Sequence, residues 1–334
     1  SETDYKNLEP WIQWPSIYFE KKAKEHGIFR LGDGKNYKYN SIFEKLESKG
    51  INVGAICPMN LGNNLKNPNF FLPDPWTETK SSGGLFLKYA RDSISSLTKD
   101  NARKRFDINS YIKFLFVFLK FFNFKKLKTY FILFIKSLNK KWYRSLFLDF
   151  FLNDIFLKSI KKNNTHFSHI FFNSIAHIQH HYFFNSKVFE NKLQKNPAWY
   201  IPYEADPFED SLILFDKILE DYLTGEYSIL LATGLQQVPY DKKKFYYRLK
   251  QHQKFFNFFD IKFKKINELM SRDFIIEFEN EHLCEENLNK IKNLKTINDE
   301  HLFGDFQKMG NKLFLSFVYN EEIVNQKISN FNSN

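Results

Sequence analysis

Three short, largely apolar runs, INVGAI at residues 51–56, FSHIFF at 167–172 and YSILLATG at 227–234, are separated by segments whose apolar residues recur at helical spacing. Runs of this length suit strands buried on both faces, and alternation of such strands with helices sets them parallel in one sheet. The pattern predicts an α/β fold with a mostly parallel central sheet flanked by helices. At 334 residues and 43% hydrophobic content, the chain can build one large domain or two smaller ones around a sizeable core.

Local signals fill in the elements. Tyr39 to Lys49 has helical periodicity and ends at Gly50, and Pro207 to Leu223 reads as a helix ended by Gly225. Phe245 to Phe256 also reads as helical. Asn67 to Glu78 carries three prolines and reads as irregular backbone holding Asp74 and Trp76. DFIIEFEN (273–280) and KLFLSFVYN (312–320) alternate apolar and polar positions, as antiparallel strands near the sheet edge would.

Residues 81–162 form a helical cap insertion in this reading, with 1–80 and 163–334 making the α/β core. Phe114, Phe118, Phe121 and Phe122 make one helical stripe, and Phe131, Phe134, Ile135 and Leu138 make another, with lysines between them. Of the net charge of +11, +10 falls between Tyr111 and Lys162, where twelve Lys and Arg face two Asp. The insertion is read as helices packed on a neighbouring domain; contact with an anionic membrane surface is an alternative, and nucleic acid fits less well because the rest of the chain is nearly neutral.

Cys57 and Cys284 stand far apart with no metal-knuckle spacing, and no apolar run reaches the ~18 residues needed to cross a bilayer. A soluble protein of a reducing, cytoplasmic compartment is expected.

Five of the nine histidines lie in HFSHIFFNSIAHIQHH, residues 166–181. Open α/β sheets bind ligands outside the carboxyl ends of their strands, so this segment is where chemistry is expected. In a helix His177 and His181 would share a face at i, i+4, a spacing that suits two imidazole ligands on a metal. Acid/base work, substrate contact and a structural role remain open for His177, His180 and His181, while His166 and His169 are expected at the surface. Thr233, Gly234, Gln236 and Gln237 follow the 227–234 run, where a binding loop would emerge. Asp74 can bind a cation or form a turn, and Trp11, Gln13, Trp14 and His26 can line a pocket mouth or pack in the core. There is no G-x-S-x-G elbow, G-x-G-x-x-G or Walker loop.

These segments together resemble the alkaline-phosphatase superfamily, in particular its type I phosphodiesterase and nucleotide-pyrophosphatase branch. EHGIF (25–29) resembles the H-G-I that follows the nucleophile segment, and SIFEKLESKGINVGAI (41–56) resembles the helix and strand after it. FNSIAHIQHH (172–181) resembles the D-x-x-x-H metal segment, and SILLATGL (228–235) falls where S-D-H-G is expected. The resemblance implies a two-metal site, with zinc or manganese, for phosphoryl transfer. It also implies departures: Asn173 stands in place of a metal-binding Asp, Thr233 and Gly234 replace the Asp-His pair, and the nucleophile position falls near Glu9 or Pro10. The first strand would lie ahead of Ser1. Only His177 matches a metal ligand.

The expectation is a phosphodiesterase- or sulfatase-like protein with a degenerate metal site, more plausibly without a cofactor than with one. It would bind a small phosphorylated or sulfated ligand through His177, His180, His181, Asp74, Asn173, Gln179, Thr233, Gln236 and Gln13. Whether it is an enzyme is left open; the alternatives are a hydrolase or transferase using one of the three histidines as acid/base, and a membrane-surface or polyanion-binding module.

Overall fold

The computed structural model describes residues 8–100, 108–189, 195–225, 227–233, 237, 245–269 and 272–321. The chain divides into two compact units, Ser1–Pro239 and Tyr240–Asn334.

The first unit is built on a three-stranded parallel sheet of β1 (Val53–Ile56), β2 (Phe70–Leu72) and β3 (Phe167–Ile170), in the order β2-β1-β3. β1 is buried at every position, as the central strand of a doubly covered sheet must be. Side chains alternate between two cores. Val53, Ala55 and Phe71 face Trp14, Tyr18 and Phe19 of α1 (Pro10–Phe19) and Phe43 of α3 (Ile42–Ser48), while Ile56, Phe70 and Leu72 face the opposite side. Between those helices lies one turn, α2 (Ala23–His26).

α3 begins with a capping box: the Glu44 amide donates to Ser41 Oγ (3.5 Å) and the Ser41 amide to Glu44 Oε2 (2.8 Å). It ends where Gly50 takes a φ of 76°, a left-handed conformation that glycine adopts without a Cβ clash.

The second face is covered by helices. These are α4 (Leu85–Asp100), α5 (Ile108–Phe121), α6 (Leu127–Asn139), α7 (Trp142–Asn163), α8 (Ser174–Tyr182) and α9 (Pro207–Leu223). α7 is the centre of this layer, with Leu146, Phe150, Phe151 and Ile155 buried against the sheet side and the surrounding helices. Each fully buried Phe or Ile removes enough apolar surface to contribute roughly 2–3 kcal/mol. One buried polar network inside the layer is paired: Lys126 Nζ lies 2.7 Å from Asp154 Oδ1 and 2.5 Å from Asp221 Oδ2, and Tyr130 donates to Asp154 Oδ2 at 2.8 Å. The helices at 81–162 thus share a core with the sheet, and the chain's two compact units part after residue 239.

The second unit holds α10 (His252–Phe258), α11 (Glu281–Lys292) and an antiparallel sheet of β4 (Lys265–Glu268), β5 (Asp273–Glu277), β6 (Phe303–Met309) and β7 (Lys312–Phe317), in the order β4-β5-β7-β6. Phe274 and Ile276 of β5 and Leu313 and Leu315 of β7 point to one buried face against Phe256 and Ile291.

Several expectations are corrected here. The alternating segments at 273–280 and 312–320 do form strands, but in their own sheet, not at the edge of the parallel one. YSILLATG is not a buried strand: described residues 227–233 have no regular structure, and Leu230 is 91% exposed. An apolar run becomes a strand only when a neighbouring backbone is available to pair with it. The proline-rich segment contains β2, and its prolines flank an edge strand, where a missing donor is tolerated. Helix replaces coil at 245–256 only from His252. No helix among the described residues is long and apolar enough to cross a membrane.

Candidate functional site

The carboxyl ends of the three parallel strands bring β1 to Cys57 and Asn60, β2 to Asp74, and β3 through Phe171 and Phe172 to α8. Asn60 and Asp74 close this edge by themselves. Asn60 takes a left-handed φ of 53°, accepts from the amides of Gly32 (2.8 Å) and Gly34 (3.1 Å), and donates to the carbonyls of Trp11 and Arg30, both at 2.8 Å. Gly34 has to be glycine, because a Cβ there would lie 1.7 Å from the Asn60 carbonyl oxygen.

Asp74 is 2% exposed and accepts from the amides of Asn60 (2.7 Å), Trp76 (2.8 Å) and Thr77 (3.0 Å) and from the Thr77 hydroxyl (2.7 Å). Burial raises its pKa and these donors oppose the shift. With its lone pairs committed to the loop, Asp74 is a turn organiser and not a ligand contact. Cys57 is buried, and burial, followed by the charges of Asp74 and Asp149, raises its thiol well above the ordinary value, so it is a poor nucleophile.

The histidines lie on α8. Ile178 and Tyr182 anchor that helix in the core, which leaves His177, His180 and His181 on its exposed face and Gln179 half-buried. The expected i, i+4 pairing is present: the His177 and His181 rings are 4.7 Å apart, centroid to centroid. His181 Nδ1 is hydrogen-bonded to the Tyr200 hydroxyl at 2.9 Å, and Tyr200 stacks on Tyr182. The Gln237 amide donates to the Ala176 carbonyl at 3.3 Å and reaches His180 Nε2 at 3.5 Å.

Loss of hydration next to the protein surface lowers the pKa of all three imidazoles. Mutual repulsion with His181 and His180 adds to this for His177, and with His180 for His181. The cluster is therefore held neutral near pH 7, each ring offering one donor and one acceptor nitrogen.

The start of α8 depends on a residue that motif reading passes over. Asp149, on α7 and 3% exposed, accepts from the Ser174 amide at 2.8 Å, so its carboxylate meets the positive end of α8. Burial pushes its pKa up to about 6, against the opposing donors at Ser174 and Asn173. Asn173 is the N-cap residue by position, and its side chain makes no capping bond. The signal for Asp149 was an acidic residue inside the apolar helical run FLDFFLNDIFL.

The remaining candidates do not converge on this face. Gln13 sits half-buried on α1, which packs on the opposite side of the sheet from the anchors of α8. Thr233 is exposed in an irregular stretch, and no hydrogen bond among the described residues joins it to the histidines; Gly234 and Gln236 lie outside the described residues. His26 is structural, bonded to Ser16 Oγ (2.9 Å) and to the Ile28 amide (3.0 Å). His166 is exposed, but His169 is not a surface residue: its ring packs edge-on against Tyr18 and Phe43, and its Nδ1 is buried without a partner.

The donor set does not fit a two-metal centre. No group of three His, Cys, Asp or Glu among the described residues is placed to hold a metal ion. The chain matches no family model, and comparison with curated proteins and with solved structures finds no match.

Proposed function

We propose that the exposed face of α8 binds a small phosphorylated or sulfated ligand, on a phosphodiesterase- or sulfatase-like scaffold whose metal-dependent hydrolysis has been lost. The observation that carries this reading is three imidazoles on two successive helical turns, two of them oriented by Tyr200 and Gln237, with no carboxylate among the described residues acting on their titration. Neutral rings donate one hydrogen bond each. An arriving dianion favours their protonated form, which donates from both nitrogens, so binding takes up protons and strengthens as pH falls below 7.

The test is a titration with phenyl phosphate and with inorganic sulfate, followed through the histidine ring proton resonances at pH 6 and pH 8. The resonances of His177, His180 and His181 are expected to move together, with tighter binding at the lower pH and about tenfold weaker binding in the His177→Ala, His181→Ala double variant. Rings that stay silent, or zinc- or manganese-dependent hydrolysis of an aryl phosphodiester, would overturn it.

A second reading is favoured by the His181–Tyr200 bond. A neutral imidazole oriented through Nδ1 leaves Nε2 to act as a general base in a hydrolase or transferase. Turnover without added metal, lost on replacing His181, would select this reading over simple binding.

A further inference from the structure

The two helical stripes of the basic segment point in different directions. On α5, Phe114, Val117 and Phe118, with Phe122 just after the helix, face inward and pack on Phe151, Tyr130 and their neighbours. A second stripe, Ile108, Ile112, Leu115, Phe116 and Leu119, faces solvent, Leu119 at 66% exposure. On α6 the inward residues are Tyr130 and Leu133, whereas Leu127, Phe131, Phe134, Ile135 and Leu138 face outward, Phe131 at 64%. Phe124, in the turn joining the helices, is 80% exposed. Single exposed apolar residues are ordinary, but two helices in succession that each carry a complete outward apolar stripe mark a surface made to be covered.

Charge indicates what covers it. Lys120, Lys125, Lys128, Lys140 and Lys141 are exposed along the same helices and the turns around them, and none of them pairs with a carboxylate among the described residues. A second copy of this chain would set one lysine-rich face against another, which opposes dimerisation through it. An apolar stripe bordered by free lysines matches the two layers of a bilayer interface, acyl chains beneath anionic headgroups. Neither helix needs to span the bilayer to lie in that plane.

We propose that α5 and α6 dock this protein on an anionic lipid surface, with Leu115, Phe116, Leu119, Phe131, Phe134 and Leu138 entering the headgroup boundary and the lysines meeting the headgroups.

The experiment is co-sedimentation of the full chain with phosphatidylcholine vesicles, with and without phosphatidylglycerol, at low and at high salt. Partitioning onto the phosphatidylglycerol vesicles is expected to exceed that onto phosphatidylcholine alone by about tenfold and to weaken with salt. Two variants address the two components separately: Leu119→Gln with Phe131→Gln and Phe134→Gln, and Lys125→Glu with Lys128→Glu. All five side chains are exposed, so the circular dichroism of the folded chain should be unchanged while each set lowers partitioning about tenfold. Binding indifferent to the apolar set, no preference for the anionic lipid, or no binding to either vesicle would overturn the proposal. So would sedimentation equilibrium showing a dimer that the apolar set dissociates.

Discussion

Asp149 is a buried carboxyl set against the start of α8. Its carboxyl, raised to about 6 by burial, keeps a proton between roughly pH 4 and 6 that the unfolded chain releases. Its contribution to stability is therefore greatest in acid and declines as pH climbs through that window. Asp149→Asn retains an oxygen to accept from the Ser174 amide and removes the titration. The variant is expected to be about 2 kcal/mol more stable than the native chain at pH 7, with the difference vanishing near pH 4, as read from urea unfolding at the two pH values. An equal difference at both would show that Asp149 is ionised throughout. His169 works in the opposite sense. Burial lowers it to about 4, so its neutral form supports the fold above pH 6.5 and that support is lost on acidification toward 4. Neither role is legible in the sequence, because desolvation depends on which helix covers a residue. The i, i+4 relation of His177 and His181 is legible, since helical geometry alone sets it.

At the scale of elements, local signals succeed where one segment carries all of them. α9 begins at Pro207 directly after Asp206, whose carboxylate accepts from the Glu209 amide at 3.0 Å, and it ends just before Gly225. The same carboxylate accepts from the Lys187 amide at 2.8 Å and the Ser186 hydroxyl at 3.3 Å, tying the segment after α8 to the start of α9. Asp206→Ala is expected to cost about 2 kcal/mol, above an ordinary cap, and to speed amide exchange at Lys187 as well as in the first turn of α9. Loss confined to α9 would mean that the cross-link contributes nothing. Strands were harder to read. β2 is three residues between prolines, while YSILLATG has the composition of a buried strand and, over its described residues 227–233, none of its pairing. Composition reports what a segment tolerates, whereas pairing depends on a partner far away in the chain.

For the whole molecule, the division after residue 239 carries the strongest consequence. The buried clusters of the first unit draw on residues up to Tyr222, and that of the second begins with residues near Tyr247, so each unit has an apolar core of its own. A unit with its own core has what it needs to fold cooperatively. The three histidines, their partners Tyr200 and Gln237, and both outward stripes of α5 and α6 belong to the first unit. A chain ending after residue 239 is therefore expected to unfold in one cooperative transition, to keep the pH-dependent response of its histidine resonances to phenyl phosphate, and to retain its preference for anionic vesicles. The complementary 240–334 piece should fold and show neither property. If the shortened chain folds but its histidines no longer respond, the second unit contributes to ligand binding; if it collapses without a cooperative transition, the sheet of the first unit depends on the second for stability, and the reading of two self-sufficient cores fails.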